Sequence, residues 1–199
     1  IINYVVLLQK EDIDNEKVRE YLDVLDRQSS RLKKLIQDLL EASKASTGSI
    51  NVELEELDAA VMLSQVAGEY EEKFEKNNLD LIIKNDVTPV MIQADGRHLW
   101  RVFDNLMNNI NKYAQPGTRV YIDNIPKDSG AIITFKNVSA TPLNISSDEL
   151  KERFVRGDSS RNTEGSGLGL SIAESLMKLM NGTLELTVDG DLFKVTLEF

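Results

Sequence analysis

The chain has 199 residues, no cysteine and one histidine, and carries 33 Asp and Glu against 23 Lys and Arg for a formal charge of −10. Its hydrophobic share of 41% and charged share of 28% describe a folded protein with apolar material for a core. This composition excludes disulfides, thiolate chemistry and cysteine-based metal sites. The acidic balance excludes a protein that holds nucleic acid or anionic lipid by charge, because such affinity rests on lysine and arginine.

Ile1 to about Gln9 reads as the end of a helix. Its apolar stretch, Ile1 to Leu8, is too short to span a bilayer and lacks the basic leader and small-residue cleavage site of a signal peptide. Since the chain opens inside an apolar run without a methionine, a fragment whose first helix has been cut is expected. After the acidic link Lys10 to Asn15, residues 16 to about 46 read as one long helix. Val18, Leu22, Leu25, Leu32, Ile36 and Leu39 recur at helical spacing, and Leu35 and Leu40 widen the stripe. Such a hairpin has an apolar seam but too little core to stand alone. It predicts a homodimer through residues 1–47, closed as a four-helix bundle. The alternative is a long helix packed on the rest of its own chain. Thr47-Gly-Ser49 stops the helix and divides the chain into 1–47 and 48–199.

Beyond that hinge the texture is mixed. Ile50 to Glu56 alternates as a strand, and Asp58 caps a helix running to about Lys76. Leu79 to Lys84 and Val90 to Gln93 read as strands. Asp95 opens a helix that reaches Ala114 and is closed by the turn Gln115-Pro-Gly117. Arg119 to Asp123 and Ala131 to Val138 form a hairpin pair. Ser146 or Ser147 caps a short helix through Phe154, and Arg156 to Ser166 is a polar loop. A helix from Leu168 to Met180 stops at Asn181-Gly182. Leu184 to Val188 and Leu192 to Phe199 make a last hairpin around Asp189-Gly-Asp191. The predicted fold class is α+β: an N-terminal helical hairpin followed by an α/β sandwich with a mixed sheet and helices on one face.

Two motifs carry chemistry. Glu164-Gly-Ser-Gly-Leu-Gly-Leu170 sets three glycines at every second position directly before a helix. Glycine lets a ligand approach bare peptide N–H groups, and the helix N-terminus adds unpaired donors and a positive dipole end. That makes a phosphate cradle, although a tight turn before a packed helix uses glycine too. The second motif is Asn105-Leu-Met-Asn-Asn-Ile-Asn-Lys-Tyr113, where Asn105, Asn109 and Lys112 share one helical face. A merely solvated face favours Glu and Lys over asparagine, a mediocre helix former. An amide oxygen can ligate Mg²⁺ while triphosphate oxygens and waters complete its octahedron, and a lysine can pair with phosphate as a point charge.

Together these motifs resemble the ATP-binding domain of sensor histidine kinases, and the likeness covers nearly the whole chain. Asp95 to Asn105 extends it upstream, and Glu152-Arg-Phe154 with Arg156 resembles the box before the mobile ATP lid. Residues 1–47 resemble the dimerisation and phosphoacceptor hairpin, with Ile1 to Tyr4 like the stretch just after the phosphorylated histidine. The resemblance implies that Asn109 ligates Mg²⁺, that Asn105 supports the phosphate side, that Lys112 contacts phosphate, and that Tyr113 packs near the nucleotide. It makes Arg156 a candidate for the γ-phosphate. It assigns Gly165, Ser166, Gly167, Leu168 and Gly169 to the lid hinge and phosphate cradle. The implied reaction moves the γ-phosphoryl of ATP to a histidine nitrogen and on to an aspartate of a response regulator, chiefly by positioning and charge neutralisation. The implied setting is the cytoplasmic portion of a membrane-anchored protein, with no membrane contact by this part.

The chain departs from the family in two places. The adenine-reading Asp-x-Gly-x-Gly box is replaced by Asn137-Val-Ser-Ala-Thr-Pro142, so Asn137 accepts from the adenine amine without charge assistance. Ser139 and Thr141 stand where glycines are usual, and Lys151 where a Phe is usual. The lone histidine, His98, lies on the asparagine-bearing helix in a structural or exposed role, so the accepting histidine is expected before Ile1. A competing reading is an ATP-binding-impaired regulatory scaffold that acts through dimerisation. A third keeps the nucleotide fold with gyrase-like, chaperone or mismatch-repair ATPase or serine-directed kinase chemistry, against which the long N-terminal hairpin speaks.

Overall fold

The computed structural model of the chain describes Val5, Leu8 and residues 15–85, 89–143 and 167–199. The short helix expected before Phe154, Lys151, Arg156 and the loop from Arg156 to Ser166 lie outside the described residues, as do Ile1 to Tyr4. The chain divides into two compact units, 1–41 and 42–199.

The first unit holds most of α1 (Asn15–Ser46), which follows the predicted stripe. Leu22, Leu32, Ile36, Leu39 and Leu40 each stay about half exposed along it. The helix ends as Gly48 takes φ of +66°, with Thr47 Oγ1 donating back to the Ser43 carbonyl at 3.1 Å.

The second unit runs β1 (Glu55–Asp58), α2 (Ala59–Lys76), β2 (Asp80–Asn85), β3 (Met91–Ala94), α3 (Gly96–Tyr113), β4 (Arg119–Lys127), β5 (Gly130–Val138), α4 (Gly169–Leu179), β6 (Thr183–Asp189) and β7 (Leu192–Glu198). Strands β1 and β3 form a small antiparallel pair, and the other five form one sheet in the order β2-β4-β5-β7-β6. Only β2 and β4 are parallel, which makes the sheet mixed. Alternation along the central strands buries one face: Val120, Ile122 and Asn124, then Ala131, Ile133, Phe135 and Asn137, then Phe193, Val195 and Leu197. The helices lie on that face. Leu99, Val102, Phe103, Leu106, Met107 and Ile110 of α3 are buried there, with the Phe103 and Phe135 rings 5.8 Å apart between centroids. From α4, Ile172, Ala173, Leu176 and Met177 complete the layer.

Two strand boundaries differ from the sequence reading. The strand expected over Ile50 to Glu56 begins only at Glu55, because its partner ends at Ala94, the residue before the cap of α3. Residues 50–54 alternate without a ladder to join. Conversely, β4 continues past Asp123 to Lys127 through Asn124 and Pro126, residue types that argue for a break. Pro126 pairs with Ala131 of β5 and lies beyond the register described with the parallel partner β2, which runs to Asn85 opposite Asn124.

The caps predicted at Asp58 and Asp95 are present, and Ser146 and Ser147 lie outside the described residues. Asp58 Oδ1 accepts from Ala60 N at 2.9 Å and also from Val90 N at 3.1 Å, starting α2 and holding the approach to β3. Helix α4 stops as expected: Asn181 takes φ of +61°, and Gly182 N donates to the Met177 carbonyl at 2.9 Å.

Candidate functional site

Asp95 sets the start of α3 and therefore the phase of every side chain on it. Its Oδ1 accepts from Arg97 N at 3.0 Å and His98 N at 3.2 Å. Burial raises the affinity of this carboxyl for its proton. The N–H of Glu53, the N–H and ring of His98 and the N–H of Arg97 outweigh it, holding Asp95 below the ordinary aspartate value. From that start, Asn105 and Asn109 fall half-buried on one side of α3, Lys112 is exposed, and Tyr113 is half-buried at the last turn.

The glycine motif comes to the same place. Gly167 takes φ of +72°, Leu168 is buried behind it, and Gly169 is the first residue of α4. The Leu168 carbonyl receives Ser171 Oγ and Ile172 N, each at 2.9 Å, which winds the first turn. Among the described residues no side chain caps this helix and no acidic residue lies in its first turn, so its leading N–H groups make a region of positive potential. A Cβ placed on Gly169 would stand 3.5 Å from Asn105 Oδ1, which makes the two motifs direct neighbours. Asn105 Nδ2 is buried there without a hydrogen-bond partner among the described residues. Gly165, Ser166 and Arg156 lie outside the described residues.

Asn137 closes the other end. It is 4% exposed on the buried face of β5. Its Nδ2 donates to the Val138 carbonyl at 3.1 Å, while Oδ1 is buried with no partner among the described residues. The following segment is laced to the end of α3: Ala140 N donates to the Tyr113 carbonyl and Gln115 N to the Val138 carbonyl, each at 2.8 Å. This lacing brings Tyr113 beside the Asn137 strand end. Neither Ser139 nor Thr141 takes positive φ, so the backbone demands no glycine there. Ser139 Oγ instead donates to the Thr141 carbonyl at 2.8 Å and closes a local turn.

His98 is structural rather than presented to solvent. Its Nε2 donates to the Asn51 carbonyl at 3.3 Å and lies 3.8 Å from Asp95 Oδ2. Sequence reasoning found Asp95 as a cap but missed that its other oxygen accepts from Glu53 N at 3.0 Å, a link across 42 positions that no local pattern encodes. A separate open groove of about 850 Å³ lies where β2 and β4 begin, lined by Glu75, Asp80, Arg119, Tyr121 and Val138 among others. None of the predicted site residues lines it. Among the described residues no cluster of three or more His, Cys, Asp or Glu is arranged to hold a metal ion, and no helix is long and apolar enough to cross a membrane.

Comparison with known proteins gives two family matches. Residues 94–199 match the histidine kinase-, DNA gyrase B- and HSP90-like ATPase family, and residues 1–48 match the His Kinase A phosphoacceptor domain. The sensor protein VanSC of Enterococcus gallinarum is 30% identical over 187 residues, which are 92% of this chain and 51% of VanSC. The chain thus spans about half the length of that relative. Among solved structures, full-length ShkA in complex with AMPPNP superposes with a TM-score of 0.77 at 22% identity, covering 96% of this chain and 40% of ShkA. The histidine kinase ThkA in complex with the response regulator TrrA gives 0.69 at 20% identity, covering 98% of this chain and 55% of that one. At these identities the two structures speak to the fold.

Proposed function

Because the chain belongs to the histidine kinase-, DNA gyrase B- and HSP90-like ATPase family, among the sensor histidine kinases of two-component systems, we propose that residues 48–199 bind ATP with Mg²⁺ between α3 and α4. The γ-phosphoryl then passes to a histidine nitrogen and on to an aspartate of a response regulator. One observation carries the reading: Gly169 abuts the side chain of Asn105, whose Nδ2 is buried without a partner among the described residues at the first turn of α4. A buried amide donor beside a bare helix N-terminus costs stability unless a ligand oxygen completes it.

The residues present suit the group. Leading N–H groups of α4, with Gly167 and Gly169 keeping the approach free of side chains, receive phosphate oxygens. Asn105 Nδ2 donates to the same oxygens, and Lys112 adds a point charge. Asn137 Oδ1 accepts from the exocyclic amine of adenine, and Tyr113 packs alongside. Asn109 offers a neutral, hard oxygen for Mg²⁺, and the ion supplies charge neutralisation at the transferring phosphoryl when bound. A site in which the Asn109 amide is the ligand and no acidic cluster lies among the described residues fits an ion whose remaining ligands are phosphates and water. Arg156, Gly165 and Ser166 belong to this reading as the lid side. In the transfer, the histidine nitrogen bonds to the γ-phosphorus as the bond to the bridging oxygen breaks and ADP leaves.

Residues 1–47 are read as the dimerisation arm, supported by the half-exposed leucines and Ile36 of α1, which a second copy would cover. In the whole protein this part is read as the cytoplasmic end of a membrane-anchored sensor. Calorimetric titration with ATP, with and without Mg²⁺, tests the site. Mg²⁺-dependent binding is expected, weakened at least about tenfold by Asn109→Ala. An absence of Mg²⁺-dependent binding would overturn the reading in favour of a scaffold.

A further inference from the structure

The cap of α3 uses one oxygen of Asp95, and the other does separate work. Oδ1 takes the two N–H groups that start the helix. Oδ2 accepts from Glu53 N at 3.0 Å, with Arg97 Nη2 at 3.7 Å beside it. His98, on the first turn of the same helix, reaches the Asn51 carbonyl at 3.3 Å. Residues 51 and 53 belong to the connector between α1 and β1, and no strand ladder holds them, since pairing begins at Glu55 opposite Ala94. The cap residue of α3 and a side chain of its first turn therefore fix a segment that has no secondary structure of its own. The carboxylate is 2% exposed, so the bond to Glu53 N is not diluted by water.

We propose that Asp95 and His98 form a clasp that fixes the connector at Asn51 and Glu53 to the helix bearing Asn105, Asn109 and Lys112, and that both are positioning residues for phosphoryl transfer. The proposal rests on the kinase reading above. Transfer requires the accepting nitrogen in line with the γ-phosphorus, and a misplacement of about 1 Å can cost about 100-fold in rate. The connector is the covalent link between α1 and the strands and helices that carry the nucleotide site, so the freedom of residues 51–53 enters that placement directly. Neither clasp residue is among those assigned to the nucleotide.

Substitution can separate the clasp from the cap. Asparagine is as good an N-cap as aspartate. In Asp95→Asn the Oδ1 bonds to Arg97 and His98 are kept, while an NH₂ now faces Glu53 N, donor against donor. His98→Ala removes the Asn51 bond from the other side, and His98→Gln restores a donor of similar reach. In the full-length kinase, both Asp95→Asn and His98→Ala are expected to lower the autophosphorylation kcat about tenfold while KM and Kd for ATP stay within about twofold, with His98→Gln recovering most of the loss. Amide exchange at Glu53 should rise at least about tenfold in Asp95→Asn, since its acceptor is gone. The clasp is overturned if these variants autophosphorylate at the wild-type rate, if Glu53 exchange is unchanged, or if kcat and ATP affinity fall together. A wild-type protein that neither binds ATP nor autophosphorylates overturns the kinase reading, and the positioning role with it.

Discussion

The side-chain amide of Asn137 donates to the Val138 carbonyl at 3.1 Å, and that contact decides which end of the amide faces inward. A carbonyl oxygen cannot donate, so the atom beside it is Nδ2 and the bare atom is Oδ1, an acceptor. On the proposed reading, in which Asn137 faces adenine, the neutral residue therefore keeps the polarity of the carboxylate it replaces. A purine with an amino group at C6 satisfies it. One with an oxo group there sets acceptor against acceptor, leaving both unpaired in a buried site. Competition binding should show ITP at least about tenfold weaker than ATP, and Asn137→Leu should erase most of that difference. Equal affinities in the wild type would remove Asn137 from base recognition.

The glycines do not all serve one purpose. At Gly169 φ is not positive and a Cβ would make only ordinary contact with Asn105. Gly169→Ala should therefore fold normally, and its melting temperature should stay within about 4 °C, since the intrinsic helix preference changes by about 1 kcal/mol in favour of Ala. ATP binding should nonetheless fall at least about tenfold, because phosphate then meets a methyl group where it needs bare backbone. Gly130 is the reverse case. Its φ is +118°, and a Cβ there would run into the Phe199 carbonyl. Gly130→Ala should lose about 1–3 kcal/mol from backbone strain alone, read from urea denaturation, with nucleotide affinity kept in the folded fraction.

Much of this was legible because it is local. The buried set of α3, from Leu99 to Ile110, follows from helical spacing, and the caps at Asp58 and Asp95 follow from residue type. What the sequence could not carry is the second bond each cap makes, from Asp58 to Val90 N and from Asp95 to Glu53 N, since partners 32 and 42 positions away leave no periodic trace. The strand expected over Ile50 to Glu56 failed for the same reason. Alternation states that a segment can pair, while the four residues of β3 decide how much of it does. At the site, residue types pointed to Asn105 and Gly169 separately, and only the fold makes them touch.

Tyr70 of α2 and Asp104 of α3 make a pH-sensitive tie. The hydroxyl donates to Asp104 Oδ1 at 2.6 Å, and Tyr70 is 3% exposed. Burial, then the hydrogen bond and the negative charge of Asp104, push the phenol well above the ordinary tyrosine value of 10.0. The folded state thus holds this proton after the unfolded chain releases it. Stability from the tie is present below that value and is lost as pH rises above it. Urea midpoints measured at about pH 8.5 and about pH 10.5 should show a fall that Tyr70→Phe lacks. At the lower pH the substitution should cost about 1.5 kcal/mol, the low end for a bond to a charged group, because Asp104 keeps Arg101 at 3.4 Å.

Asn124 is the polar residue for which the fold supplies least. Alternation after Val120 and Ile122 turns it to the buried face of β4, opposite Ile133, and it is 1% exposed. Both Oδ1 and Nδ2 are without a hydrogen-bond partner among the described residues. A desolvated amide in that state costs about 1–3 kcal/mol, and leucine fills a similar volume without a polar atom to satisfy. Asn124→Leu should raise the urea midpoint with an unchanged slope, corresponding to a gain of about 1–2 kcal/mol. Nucleotide affinity should not change, because Asn124 lies several residues along the sheet from Val120, the β4 residue flanking the strand end that carries Asn137. Destabilisation by the leucine would mean that the Asn124 amide is hydrogen-bonded in solution through an enclosed water, and would make it a structural anchor of the sheet rather than a cost.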